Sequence, residues 1–113
     1  MGAKANIYLD QGATFQTYIT ISDVNGNVVD LTGYQFQGQL RQTYTSSNAV
    51  NFSISCPTPN NGVIIISLDA NTTASLVSNR YVYDIVSADT SNNIVRIVEG
   101  IVNVDQQVTQ VTI

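Results

Sequence analysis

Between Arg80 and Val104 the chain reads RYVYDIVSADTSNNIVRIVEGIVNV, and no other stretch restricts the fold as much. Tyr81, Tyr83 and Ile85 alternate with Val82, Asp84 and Val86. Beyond a polar turn, Ile94, Arg96, Val98, Gly100, Val102 and Val104 alternate with Val95, Ile97, Glu99 and Ile101. Successive strand side chains point to opposite faces, so a period of two signals a pair of strands and excludes a helix. Apolar groups stand on both faces, which predicts central strands covered on both sides.

The remainder of the chain has the same alternation in shorter pieces. Residues 4–10 form a first strand carrying Ile7 and Leu9, and Gln11-Gly12 break it. Residues 14–23 form a second, with Phe15, Thr17, Ile19 and Ile21 on one face. Asp23-Val24-Asn25-Gly26-Asn27 follows, and Asn-Gly between alternating strands predicts a type I′ hairpin turn with two positive φ angles. The same five residues place acid and amide oxygens near a glycine. They lack the acidic run and the downstream bidentate Glu of a calcium loop, so no metal is expected.

After a turn at Gly33, residues 34–44 set Tyr34, Phe36, Gly38, Leu40 and Gln42 against Gln35, Gln37, Gln39, Arg41 and Thr43. That is a half-buried strand with a wet glutamine face, and Gly38 inside it predicts a bulge or a close approach of another backbone. Residues 49–56 make a strand with Val50, Phe52 and Ile54 inward and Cys56 on their side. Pro57 to Gly62 is a turn, and Val63 to Leu68 is a buried, β-branched strand. Asp69 to Val77 is the one stretch suited to a helical turn, with an Asp or Asn (Asp69 or Asn71) to cap its start and Leu76 to plug one end of the sandwich. Val108 to Ile113 closes the chain as a last short strand.

About eight strands at roughly 10–12-residue spacing predict a single domain, 1–113. The class is all-β, an antiparallel β-sandwich of immunoglobulin-like outline with one short helical turn near residues 69–77. One cysteine, Cys56, cannot form an intramolecular disulfide. The N-terminus has no signal-peptide pattern, and no window approaches the ~18 apolar residues of a membrane span. A soluble protein made in a cytoplasm is expected.

Charge excludes more than it assigns. Only 11% of the 113 residues are charged and the net charge is −4, with Lys4, Arg41, Arg80 and Arg96 the only cations. Nucleic-acid binding needs clustered cations to displace counterions, and adhesion to an anionic membrane needs them too, so neither partner is expected. Few lysines remain to protect strand edges, which points to edges covered by neighbours. Catalysis fares no better. There is no histidine, one glutamate, and the seven aspartates are spread over turns and strand ends. Asp84 and Glu99 on adjacent strands are the one conceivable carboxylate pair, and the simpler reading pairs them with Arg80, Arg96 or a backbone cap. Cys56 has no histidine to activate it. No catalytic, cofactor-binding or metal residues are assigned, no cofactor is implied, and an enzyme is not expected.

A set of short motifs, in order, carries a resemblance. Gln11-Gly12-Ala13-Thr14-Phe15 opens the second strand. Asp23-Val24-Asn25-Gly26-Asn27 and Val29-Asp30-Leu31-Thr32-Gly33-Tyr34 follow. Gly62-Val63-Ile64 leads to a short helix, Asp69 to Leu76, containing Thr72 and Thr73. Arg80-Tyr81-Val82-Tyr83-Asp84 and Arg96-Ile97-Val98-Glu99-Gly100, with Val102 and Val104, form the central hairpin, and Val108-Thr109 ends the set. This order resembles small tailed-phage virion domains related to the N-terminal immunoglobulin-like domain of phage baseplate upper proteins. The resemblance spans nearly the whole chain. It implies a β-sandwich attachment module without enzyme activity, located in the virion and made in the host cytoplasm, whose partners are other phage structural proteins or copies of itself. Larger relatives append a coiled-coil or fibre segment where this chain stops at Ile113, which implies a stand-alone adaptor of tail or baseplate. A capsid decoration protein is the first alternative. A carbohydrate-binding module using Tyr8, Tyr18, Tyr44 or Tyr81 as stacking platforms is the second, and it requires several tyrosines on one exposed face.

Overall fold

Alternating apolar residues organise the computed structural model, which describes residues 3–108, into two sheets that share one core. Among the described residues the strands are β1 (Ala3–Lys4), β2 (Ile7–Asp10), β3 (Phe15–Thr20), β4 (Gln35–Arg41), β5 (Val50–Asn51), β6 (Ser53–Ser55), β7 (Val63–Leu68), β8 (Arg80–Ala88) and β9 (Ile94–Asp105). One helix, α1 (Ala70–Ala74), is joined by a single 3₁₀ turn at Pro59–Asn61. The larger sheet runs β1-β9-β8-β4-β5, with β2 also on β9, and the smaller runs β3-β7-β6. Leu40, Tyr83, Ile85, Val98 and Val102 from the first meet Ile64, Ile66 and Leu68 from the second, all buried. The all-β expectation and the short helix hold.

Several finer expectations are corrected. The N-terminal strand is not antiparallel to its neighbour. Ala3 and Lys4 pair with Val98 and Glu99, and Ile7 to Asp10 with Val102 to Asp105, all parallel. Alternation places Ile7 and Leu9 inward whichever way the neighbour runs, so it could not reveal the direction. The strand is also interrupted at Ala5-Asn6, where the backbone arches over Gly100. Ala5 N–H donates to Glu99 O (2.9 Å), Asn6 Oδ1 accepts from Ile101 N–H (3.3 Å), and the buried Tyr83 hydroxyl donates to Ala5 O (2.6 Å). A Cβ on Gly100 would lie 2.0 Å from that carbonyl oxygen. The glycine is there because another backbone needs its space.

Residues 49–56 are not one strand. Val50-Asn51 pair with β4 in the larger sheet, whereas Ser53–Ser55 pair with β7 in the smaller. The chain changes sheets at Phe52, whose N–H donates to Gly38 O (2.9 Å) and whose ring packs edge-on against Tyr83 (centroids 5.8 Å apart). Gly38 is therefore a close approach and not a bulge, with Ile54 Cδ1 3.3 Å from where its Cβ would sit.

The central hairpin is covered on its inner face only. Tyr81, Tyr83, Ile85 and Ser87 are buried while Val82, Asp84, Val86 and Ala88 between them are half-buried. A register shift sets Ile85 opposite Val98 but Val86 opposite Arg96, leaving Ile97 as the extra residue of a bulge. Ile97 and Val98, adjacent in sequence, both pack on the core. Strict alternation across that point, which put Ile94 and Arg96 on the Val98 face, therefore fails. The expected final strand is not seen at Val108, and 109–113 lie outside the described residues.

The turns obey their sequences in one respect more simply than expected. At residues 23–27 only Gly26 has a positive φ (84°), so the turn is not type I′. Gly26 N–H donates to Asp23 O (3.0 Å) and Asp23 N–H to Asn27 O (2.8 Å), while Asp23 Oδ1 accepts from the amides of Asn25 and Asn27. Residues 89–93 repeat the pattern bond for bond, with Asn92 (φ 66°) in the glycine's place. This is the three-residue hairpin loop with one left-handed residue at its end. In each, an aspartate carboxylate taking two amides holds the turn.

Asp30, Asp69 and Asp89 hold turn or helix starts in this way with their pKa lowered. The Thr32 hydroxyl, then its amide, lowers Asp30; the Thr72 hydroxyl and amide lower Asp69; the Asn93 amide heads the causes at Asp89. A pKa depressed on folding contributes stability that is present above the unfolded value near 3.9 and is lost as pH falls through the folded value. Thermal melts are expected to be flat from neutral pH to about pH 4 and to drop below it. Asp30→Asn, Asp69→Asn and Asp89→Asn together should lower the neutral-pH melting temperature and shrink that acid drop. An undiminished drop in the triple variant would place the acid sensitivity elsewhere.

Candidate functional site

The outer face of the larger sheet carries the densest set of polar side chains. In register across three strands, Gln39 of β4 faces Asp84 of β8, and Asp84 faces Glu99 of β9. Arg41 and Val82 form the next row. With Tyr44 from the following loop and Arg96 from β9, these residues line an open hollow of about 200 Å³. Period-two alternation turns Gln39, Arg41, Val82 and Asp84 outward together because Leu40, Tyr83 and Ile85 turn inward.

Two polar groups, one ion-paired and one hydrogen-bonded, divide this hollow. On one side Arg96 Nε sits 3.2 Å from Asp84 Oδ2 and its Nη1 3.7 Å from Glu99 Oε1. On the other, Arg41 donates from Nη1 to Ser46 O and from Nη2 to Gln39 Oε1 (3.1 Å), and Gln39 Nε2 donates to Asn51 Oδ1 (2.9 Å). The carboxylates that sequence reading singled out are thus brought together, as cross-strand neighbours, and Arg96 rather than Arg80 takes both. A general acid would need one carboxyl held neutral and free to donate, and here a single guanidinium bridges the two. What the group does chemically is to pair strands and hold the 42–48 loop down on β4. The loop contact through Ser46 is the part sequence reading missed. Gln39 and Arg41 were visible on the wet face, but their partner lies in an irregular loop without a pattern.

The ion pairs are shallow, with Arg96 52% and Asp84 41% exposed, so they add under about 1 kcal/mol. Asp84→Asn with Glu99→Gln is expected to cost no more than that. Arg96→Ala should cost more than this double variant, because it leaves two like charges directly opposite across the hairpin. Urea titrations in low and molar salt test the order, and the gap should narrow in salt. A double variant that is the more damaging of the two would show that the carboxylates do something beyond pairing.

Cys56 is half-buried against the core margin and its thiol lies 3.3 Å from Val63 O. Burial pushes its pKa up, away from a reactive thiolate.

A second polar cluster sits at one end of the core. Thr73 of α1 is 0% exposed. Its hydroxyl donates to Ala13 O (2.8 Å) and accepts from Gly12 N–H (3.0 Å). Gln11 Nε2 donates to Leu76 O (3.0 Å), and its Oε1 accepts from Gln107 N–H (3.0 Å). Leu76 is buried beside them, as expected of a plug. The Gln11–Phe15 and Asp69–Leu76 motifs thus meet in space and lock a corner.

The tyrosines do not form one platform. Tyr8 lies on β2 of the larger sheet, Tyr44 in the loop after β4 beside the hollow, and Tyr18 on β3 of the smaller sheet; all three are exposed. Tyr81 is buried, accepting from Ser78 N–H (3.2 Å), which corrects its place among the candidate stacking residues. Its inward position follows from sharing the face of Tyr83 and Ile85.

No protein-family model matches the chain, and a search of curated proteins found no match.

Proposed function

We propose that this chain is a non-enzymatic structural subunit of a tailed-phage virion, an adaptor or attachment module of the tail or baseplate that works by protein–protein contact. The observation that carries the reading is where the ordered motifs fall. Gln11–Phe15 and Asp69–Leu76 close a corner of the core. Asp30 to Tyr34 makes the turn into β4, with Leu31 buried and Asp30 holding Thr32. Gly100 admits the arch of the first strand. Each of these motifs has a specific architectural task, as expected when a family shares a fold. The strand order supports the immunoglobulin-like β-sandwich the resemblance implies: β9-β8-β4-β5 face β3-β7-β6, and the chain crosses between the sheets from β2 to β3, β3 to β4, β5 to β6 and β7 to β8.

The outer surfaces suit contact more than chemistry. The carboxylate pair is bridged by Arg96, and the scatter of tyrosines over two sheets weighs against a sugar-stacking face. Mass spectrometry of purified particles of the phage encoding this chain is expected to find it at stoichiometric level. Its absence would end the virion reading. Immunogold labelling should then mark the tail or baseplate, whereas label on the head would transfer the assignment to capsid decoration.

A further inference from the structure

The first strand's allegiance to β9 has a consequence on the opposite sheet. Because β1 and β2 lie on the larger sheet, β3 is left at the margin of the smaller one. Among the described residues it pairs with β7 and with no strand on its other side. Ile21 N–H donates to Gly62 O (2.7 Å). Antiparallel alternation then turns the backbone groups of Phe15, Thr17 and Ile19 toward β7, and those of Gln16, Tyr18 and Thr20 outward. The edge has none of the usual safeguards: Phe15 to Thr20, FQTYIT, holds no charge, no proline and no bulge. A groove of about 290 Å³ runs alongside, where Ile19, Ile21, Val95 and Ile97 are joined by Thr20, Ser22 and Arg96.

We infer that this edge is an interface, and that its partner is β3 of a second copy of the chain, laid antiparallel about a two-fold axis at Tyr18. The inference rests on the chain being an assembly subunit and names the contact. Self-pairing in this register sets Tyr18 opposite Tyr18 and Gln16 opposite Thr20, so all three outward-facing residues exchange both backbone bonds with the partner strand. Face parity is kept. Thr17 falls opposite Ile19, and Phe15 of one copy falls opposite Ile21 of the other, beside the groove. Tyr18, 64% exposed in the single chain, gains an aromatic neighbour directly across the strands. No like charges meet, because the strand has none. The two three-stranded sheets become one, and both edges disappear in a closed, isologous contact.

Sedimentation equilibrium of the purified chain, from micromolar to near-millimolar, is expected to show a monomer–dimer equilibrium. A monomer throughout that range would overturn the proposal. Tyr18→Lys places two cations face to face and should weaken association by about a hundredfold, with an unchanged melting temperature at dilution because the side chain is exposed. Association as strong as in the parent chain would show that another surface is used. Opposed residues of a hydrogen-bonded pair stand about 5.5 Å apart at Cα, within disulfide range. Cys56→Ala/Tyr18→Cys should therefore give a covalent dimer under mild oxidation, and the equally exposed control Cys56→Ala/Tyr8→Cys should not. Equal cross-linking of both, or of neither, contradicts the register. A strictly monomeric chain found in particles would refute this pairing and leave the virion assignment standing, and a dimer missing from particles would do the reverse.

Discussion

Gly100→Ala is expected to destabilise the fold by about 3 kcal/mol, the upper end for an inserted methyl group in a filled space. The added carbon would sit 2.0 Å from Ala5 O and 2.8 Å from Ala5 C. Both are backbone atoms, so no side-chain rotation relieves the clash. The arch must lift instead. Lifting it removes the Tyr83 hydroxyl's acceptor and pulls Ala3 and Lys4 away from Val98 and Glu99. Urea titration should show a lower midpoint at similar slope, with amide exchange at Ala5 and Ile101 accelerated. Tyr83→Phe removes one bond of the same unit and should cost about 1 kcal/mol. The double variant should cost less than the sum, since both changes act on one carbonyl. Strict additivity would mean the arch is not the shared element.

Tyr83 also makes the arch sensitive to base. Burial raises its pKa to about 12. A group whose ionisation is disfavoured on folding contributes stability below its unfolded value, near 10, and that stability is lost as pH rises through about 12. Alkaline melts of the parent chain should fall across this window, and Tyr83→Phe should fall less.

Thr73→Val is the second large effect, at about 2 kcal/mol. The substitution keeps the shape and removes the hydroxyl of the fully buried Thr73, taking its partner from Gly12 N–H and Ala13 O at a part-buried corner. Thr73→Ser keeps the hydroxyl and loses a methyl group, so its cost should be about 1 kcal/mol. The two substitutions separate hydrogen bonding from packing. Equal losses would show that the corner depends on filled volume, not on the hydroxyl. Exchange at Gly12 should quicken in the valine variant only.

How far these features could be read in advance differs from residue to residue. Alternation located β3, β4, β7 and the central hairpin to within a few residues, and Asp69 and Leu76 marked the helix and its plug. Those are local facts: side-chain direction along a strand, and an oxygen placed to cap a first turn. The break at Phe52 was not legible, since Val50, Phe52 and Ile54 keep perfect alternation while the backbone moves from one sheet to the other. The bulge at Ile97 was hidden for the same reason: an extra apolar residue among apolar residues leaves no mark. In the candidate site, Asp84 and Glu99 were foreseeable as neighbours because a hairpin sets them opposite. Their ion pair with Arg96 was one of several options, and the Arg41–Ser46 contact was not visible at all.

The Arg80–Val104 hairpin shows the division most clearly. By itself, the sequence determined that these residues are paired strands, that the class is all-β, and that scarce charge leaves strand edges unguarded. All of these follow from the spacing and chemistry of near neighbours. Only the tertiary structure decided that the first strand lies parallel on β9, that Gly100 makes room for its arch, and that β3 consequently stands at an edge among the described residues. Those choices depend on which distant segments come to lie side by side. Side-chain alternation is the same for either partner and either direction, so the closing geometry alone selects between them.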